Sequence, residues 1–298
     1  MLVYIKNHPS HAGKWIYEGF RRAWEHEGHT VKFYSSFSEL TNLNEKFYLM
    51  AVDGTINNNM AIKALKKAEK TFLFVQPNSF PHPWGTHPNF VSGCPDDYIK
   101  KINLIDNCHL WTWVDDHKFH SKWKQINTLP LAFDSVSYQD MKGPNRMFDV
   151  CYIGGWANNG FDEKKQIMLK HFKEFKNTNL KCGFFINKNL SHEMENKIIC
   201  NSGVAINIHD NYQRILGLDT NERTFKSLGL NGALVSDKVT QVERLFPGVE
   251  ISETPEGMVE SVMKMLDRAD LDEFKQNNIK NVMENHTYIN RVRELISL

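Results

Sequence analysis

The stretch from Asn207 to Asp237, NIHDNYQRILGLDTNERTFKSLGLNGALVSD, decides the fold. Val204–Ile208 is a short apolar run, rich in β-branched residues, and reads as a strand. A polar loop follows, then a helix beginning near Asn221, then Gly232 and a second apolar strand at Ala233–Ser236. Strand, loop, helix, glycine and strand form the βαβ unit of a parallel sheet. The helix start places Arg223, Thr224 and Lys226 in or near its first turn, where free backbone N–H groups and the positive end of the dipole lie. Main chain, hydroxyl and guanidinium together suit a diphosphate. An ordinary helix with Arg223 on a solvated face fits the same spacing.

The same alternation runs outward in both directions. Leu2–Ile5 is an opening strand, and Trp15, Ile16, Gly19, Phe20, Ala23 and Trp24 recur at helical spacing. Gly28 stops that helix and Thr30–Tyr34 is the next strand. Phe47–Val52, Thr71–Val75 and His109–Val114 continue the strands, with a helix over Met60–Lys70 and a short one over Asp96–Ile105. Asn78–Pro95 reads as a loop. Ser135–Arg146, with Gly143-Pro144, is the best linker. The second half opens on a strand at Phe148–Ile153, and helices and strands then alternate to Leu271–Glu284. The expected organisation is two Rossmann-like α/β domains, 1–140 and 146–285, with parallel sheets facing across a cleft. A last helix, 286–298, packs back on the first domain.

Composition narrows the class. At ~150 residues per domain, 298 residues make about two domains. Lys and Arg number 36 and Asp and Glu 35, a net charge of +1, which argues against a protein devoted to coating a polyanion. Five widely spaced cysteines, with no CxxC pair, suggest neither a disulfide framework nor a zinc site and point to a reducing, cytoplasmic compartment. No run approaches the ~20 apolar residues of a membrane span.

Several short motifs then resemble one family. Asn221-x-Arg223-Thr224-Phe225, followed by Gly232-Ala233-Leu234-Val235-Ser236-Asp237, is similar to the signature of the CgeB-like (spore maturation protein) glycosyltransferases of the GT-B, group 1 superfamily. Asn207-Ile208-His209 sits at that family's strand before the loop. Phe148–Gly155 resembles its second-domain opening, Leu129–Asp134 the end of its first domain, and His286-Thr287-Tyr288-x-x-Arg291 its closing motif. The resemblance covers the second half well and the first loosely.

It implies a GT-B fold and transfer of a sugar from a nucleotide-activated donor to an unidentified acceptor, with no metal and no cofactor beyond that donor. Donor contacts would come from Gly154, Gly155, Trp156, His209, Asp219, Asn221, Glu222, Arg223, Thr224 and Lys226. Many family members carry glutamate where this chain has Lys226, and an ammonium only donates. The ribose hydroxyls would then be met by Glu222 or Asp219, and Lys226 would reach phosphate. His8, His11 and Asp53 follow first-domain strands and are the candidates for a catalytic base. Each also fits an ordinary loop or capping role.

The remaining features have bland readings beside sharp ones. His82 and His87 lack the spacing of a zinc motif. Lysines between Lys164 and Lys181 read as a solvated helix face, or as a surface for nucleic acid or an anionic glycan. Trp84, Trp111, Trp113 and Trp123 read mostly as core. A sugar-nucleotide epimerase of the same fold, or a non-catalytic nucleotide- or glycan-binding protein, are the rival functions.

Overall fold

The structure is a computed structural model describing residues 1–8, 11–85, 90–156 and 163–298, with residues 11 and 12 described by their backbone. It divides into two compact units, Met1–Pro130 with Tyr288–Leu298, and Leu131–Thr287. Each is built on one parallel sheet.

In the first unit the elements run β1 (Leu2–Lys6), α1 (His11–His26), β2 (Thr30–Tyr34), α2 (Ser38–Thr41), β3 (Phe47–Val52), α3 (Asn59–Lys67), β4 (Lys70–Phe74), α4 (Asp96–Ile102), β5 (Cys108–Thr112) and β6 (Ile126–Thr128). The strand order is β2-β1-β3-β4-β5-β6, all parallel. The period-2 alternation of a strand splits its side chains between two cores. Phe47, Leu49 and Ala51 of β3 share a cluster with Ala61, Ala64 and Leu65 of α3 and Ile99 and Ile102 of α4. Met50 and Phe72 point the other way, where the Trp24 indole N–H of α1 donates to the Met50 sulfur at 3.0 Å and packs 5.8 Å from the Phe72 ring. Each such fully buried large side chain contributes about 1.5–3 kcal/mol. Gly28 ends the α1 turn with φ +81°, a conformation that side chains disfavour.

The second unit runs β7 (Phe148–Gly154), α5 (Glu163–Glu174), β8 (Cys182–Ile186), α6 (His192–Cys200), β9 (Ser202–Asn207), α7 (Asn211–Leu216), α8 (Glu222–Leu230), β10 (Leu234–Asp237), α9 (Thr240–Leu245), β11 (Glu250–Ser252), α10 (Pro255–Leu266) and α11 (Leu271–Asn285). Its sheet has the order β11-β10-β9-β7-β8, again parallel. Val150, Val204, Ile206 and Val235 of the central strands pack on Met168 of α5 and on Met258 and Val262 of α10. The run Ser202–Asn207 is buried throughout, as a central parallel strand covered on both faces must be. The final helix, α12 (Tyr288–Ser297), belongs to the first unit, where the Tyr288 ring packs tilted at 4.9 Å from Phe20 of α1.

The two parallel α/β sheets are those expected from the sequence, and one local reading changes. The polar loop after Asn207 contains α7, whose Asp210 and Gln213 form a reciprocal capping box and whose Gly217 ends it. The loop 78–95 falls partly outside the described residues, as does His87. Trp84, Trp111 and Trp123 are buried. Among the described residues no helix is long and apolar enough to cross a membrane.

Candidate functional site

The carboxyl ends of β7, β9 and β10 bring most of the donor-side candidates together. Open α/β sheets bind ligands at this edge. Arg223, in the first turn of α8, reaches back over β7. Its Nε donates to the Ile153 carbonyl at 2.7 Å and its Nη1 to Asn207 Oδ1 at 2.9 Å, while the guanidinium lies 4.8 Å above the Tyr152 ring. Two acceptors and an aromatic face fix the plane of the group. Its Nη2 makes no hydrogen bond among the described residues and rests against the Gly154 backbone, where a β-carbon would stand 2.1 Å away. Gly155 is equally confined, since a β-carbon there would meet Asn187 Oδ1 at 1.8 Å. That same oxygen accepts the Trp156 N–H at 3.2 Å.

Behind Arg223 lies a buried polar cluster. His209 is fully buried, with Nδ1 2.5 Å and its backbone N–H 2.9 Å from the two Asp237 carboxylate oxygens. His209 Nε2 lies 2.7 Å from Thr220 Oγ1, which lies 2.6 Å from Thr224 Oγ1. The Asn207 amide reaches Thr224 at 2.8 Å and Asn221 at 3.0 Å. Burial holds the His209 imidazole below its ordinary pKa, more than Asp237 raises it. Burial pushes the Asp237 carboxyl up, but His209 and Lys164 outweigh this and keep it below the usual carboxylate range. The pair is therefore neutral imidazole and carboxylate.

Lys164 is the residue that the sequence reading misplaced. It was expected on a solvated lysine face, yet it is 6% exposed, and its ammonium donates to the Ile208 carbonyl and lies 3.9 Å from Asp210. Burial lowers its pKa to about 8. It sits in the first turn of α5, the helix after the glycine pair, and that position was the available signal. Arg214 adds a third cation, 3.3 Å from Asp237. Arg223, Lys164 and Arg214 against Asp210 and Asp237 leave one positive charge over, in surroundings that exclude much of the screening solvent. The arrangement can hold an anion.

Other donor-side candidates lie further off. Lys226 pairs with Glu195 of α6 at 2.5 Å and lies 5.8 Å above the Tyr138 ring. The expectation that it reaches phosphate meets a lysine already committed to a carboxylate. Glu222 is half-buried, and its carboxyl is raised by desolvation and by Glu195 and Asp134, with Lys226 opposing. Asp219 is buried and accepts from Gln213 Nε2 at 3.0 Å and from the Tyr212 hydroxyl at 3.4 Å.

The first-unit candidates sit at the carboxyl edge of its sheet. Asp53 is fully buried after β3, accepting the Gly54 N–H at 2.6 Å and the Gln76 N–H at 3.0 Å through its two oxygens. Desolvation still raises its carboxyl pKa, although Ser92 and those two amides work against it. Tyr17, whose buried hydroxyl has no hydrogen-bond partner among the described residues, lies within its electrostatic reach. The His8 ring stacks 5.7 Å from Tyr17 and burial lowers its pKa. His11 opens α1, but its side chain is outside the described residues.

Two Rossmann-like α/β units, each on a parallel sheet, have the GT-B fold. Residues 157–297 match the family model described as glycosyl transferase-like. Similar solved structures include AviGT4, a glycosyltransferase involved in avilamycin A biosynthesis, at 8% identity and TM-score 0.59, covering 99% of this chain and 96% of that one. An alpha-glucosyltransferase in complex with UDP and a mismatched 13-mer DNA is 12% identical, with TM-score 0.55 and coverage of 100% and 99%. The GtfA/B complex matches at 11% identity and TM-score 0.50 over 88% of this chain, which spans 59% of that chain. These likenesses are of fold. No curated protein sequence matches the chain.

Proposed function

We propose that the protein is a glycosyltransferase that moves a sugar from a nucleotide-activated donor, held by its second unit, to an acceptor not yet identified. One observation carries the reading. The Arg223 guanidinium is clamped by Ile153, Asn207 and Tyr152, with Nη2 left over at Gly154, beside a helix start and a net positive cluster. Charge grows on the departing diphosphate as the glycosidic bond breaks, and fixed donors aimed at it stabilise the transition state most. In this reading Arg223 and the first N–H groups of α8 bind the diphosphate. Lys164 adds long-range positive potential. Gly154 and Gly155 keep the approach open, and Trp156 borders it.

The first unit is the proposed acceptor side, with His8, His11 and Asp53 as its candidates for a base. Membership of the CgeB-like group, a metal-independent reaction and a cytoplasmic location belong to the same reading. An anionic acceptor is supported by the exposed lysines 170, 173, 176 and 181, and by the DNA in complexes of two fold neighbours.

Calorimetry with UDP, GDP, ADP and CMP, followed by donor-hydrolysis assays with the matching nucleotide sugars, tests the proposal. UDP and UDP-glucose come first, because alpha-glucosyltransferases of similar fold are described with them. Binding of a nucleoside diphosphate with slow release of free sugar is the expected result. Absence of binding by all four would overturn it.

A further inference from the structure

We infer that His209 is a positioning residue: its neutral imidazole, with the proton on Nδ1, sets the direction of a hydrogen-bond chain that ends at the Arg223 guanidinium. For a neutral imidazole the chain follows from donor and acceptor capacity. An ionised Asp237 only accepts, and it faces Nδ1 at 2.5 Å, so that nitrogen carries the proton and Nε2 is a lone pair. Nε2 then accepts the Thr220 hydroxyl proton at 2.7 Å. With its proton spent, Thr220 accepts from Thr224 at 2.6 Å. With its own proton spent, Thr224 accepts from Asn207 Nδ2 at 2.8 Å. The second Asn207 Nδ2 proton goes to Asn221 Oδ1 at 3.0 Å. Asn207 therefore turns its Oδ1 outward, where Arg223 Nη1 meets it at 2.9 Å.

Asn207 Nδ2 also lies 3.2 Å from His209 Nε2 itself, so the imidazole lone pair favours the same amide orientation directly as well as through the two threonines. A proton on Nε2 would reverse both hydroxyls and set the Thr224 proton against the Asn207 amide protons. Turning the Asn207 amide over to relieve that clash would aim its NH2 at the guanidinium, donor against donor. The amide orientation that seats Arg223 is thus coupled to the imidazole, directly at 3.2 Å and through three hydrogen bonds by way of Thr220 and Thr224. The charged groups facing His209 are Asp237 of β10, Arg214 of α7, Lys164 of α5 and Arg223 of α8. The consequence for donor binding rests on the function proposed above, whereas the chain itself does not.

The test uses the full chain labelled with 15N. Long-range proton–nitrogen correlation at pH 7 should show His209 as the Nδ1–H tautomer, and the Arg223 Nε–H should exchange slowly with solvent. Thr220→Val, which keeps shape and removes the link, should speed that exchange and weaken UDP binding about tenfold, the scale of one charged hydrogen bond. Thr220→Ser should restore both. An Nε2–H tautomer or an imidazolium in the unsubstituted protein would overturn the inference without any variant. So would a folded Thr220→Val protein whose Arg223 exchange is unchanged. If none of UDP, GDP, ADP and CMP binds while tautomer and exchange behave as stated, the proposed function falls and the chain stands.

Discussion

Nη2 of Arg223 occupies the space that a side chain at residue 154 would need, with only 2.1 Å between it and a β-carbon built on Gly154. The glycine and the arginine are one device, since the seat exists only while residue 154 has no side chain. Gly154→Ala should therefore act as a displacement of Arg223. By calorimetry it should lose nucleotide-diphosphate affinity to the same degree as Arg223→Ala, roughly 1.5–3 kcal/mol for a charged hydrogen bond. The double variant should be no worse than either single one, because both remove the same contact.

Lys164 offers a test by pH. A buried lysine whose folded pKa is about 8 penalises the folded state fully below pH 8. The penalty fades as pH rises toward the unfolded pKa of about 10.4. Lys164→Met removes that penalty but leaves the Ile208 carbonyl without its donor and Asp210 without its cation, so its stability relative to the unsubstituted protein should be highest below pH 8 and fall as pH rises to 10 in denaturant titrations. The same variant should bind nucleotide more weakly.

The Lys226–Glu195 pair predicts coupling between α8 and α6. Both side chains are mostly buried, so the pair is screened less than a surface one. Lys226→Met leaves Glu195, Glu222 and Asp134 facing one another. It should cost about 1 kcal/mol or more of stability. Glu195→Gln added to it should recover part of that loss, which a double-mutant cycle on urea midpoints will measure.

In the first unit, His8 and Asp53 should separate by phenotype. Asp53→Asn puts an NH2 where a backbone N–H now donates, so one buried donor loses its acceptor. That variant should lose about 1–3 kcal/mol of stability. His8→Ala should leave both the melting temperature and nucleotide affinity nearly unchanged. Its turnover should fall by roughly 10²–10⁴ if His8 is the base; normal turnover would remove it from that role.

Residues that speak through local rules were legible. Gly28 stopping α1, the apolar run Phe47–Val52 and the helix start before Arg223 depend on near neighbours, so the order of strands and helices could be read directly. The helix α7 was legible in principle, because Asp210-x-x-Gln213 and Gly217 are its cap and its stop. Lys164 was not. Its neighbours in sequence are lysines on an exposed face, and its burial comes from Ile208 and Asp210, more than forty positions away.

By itself the sequence determined two α/β units with parallel sheets and the placing of Asn207, Arg223 and the glycine pair near strand ends, because periodicity and turn residues act over a few positions. Only the tertiary structure decided what those residues touch. Sheet order sets β9 between β7 and β10, and this joins Arg223 to Ile153 and Gly154, and His209 to Asp237. It also gives Lys226 to Glu195. Each is a contact between segments far apart in the chain, where charge, burial and hydrogen-bond capacity must balance in space rather than along the sequence.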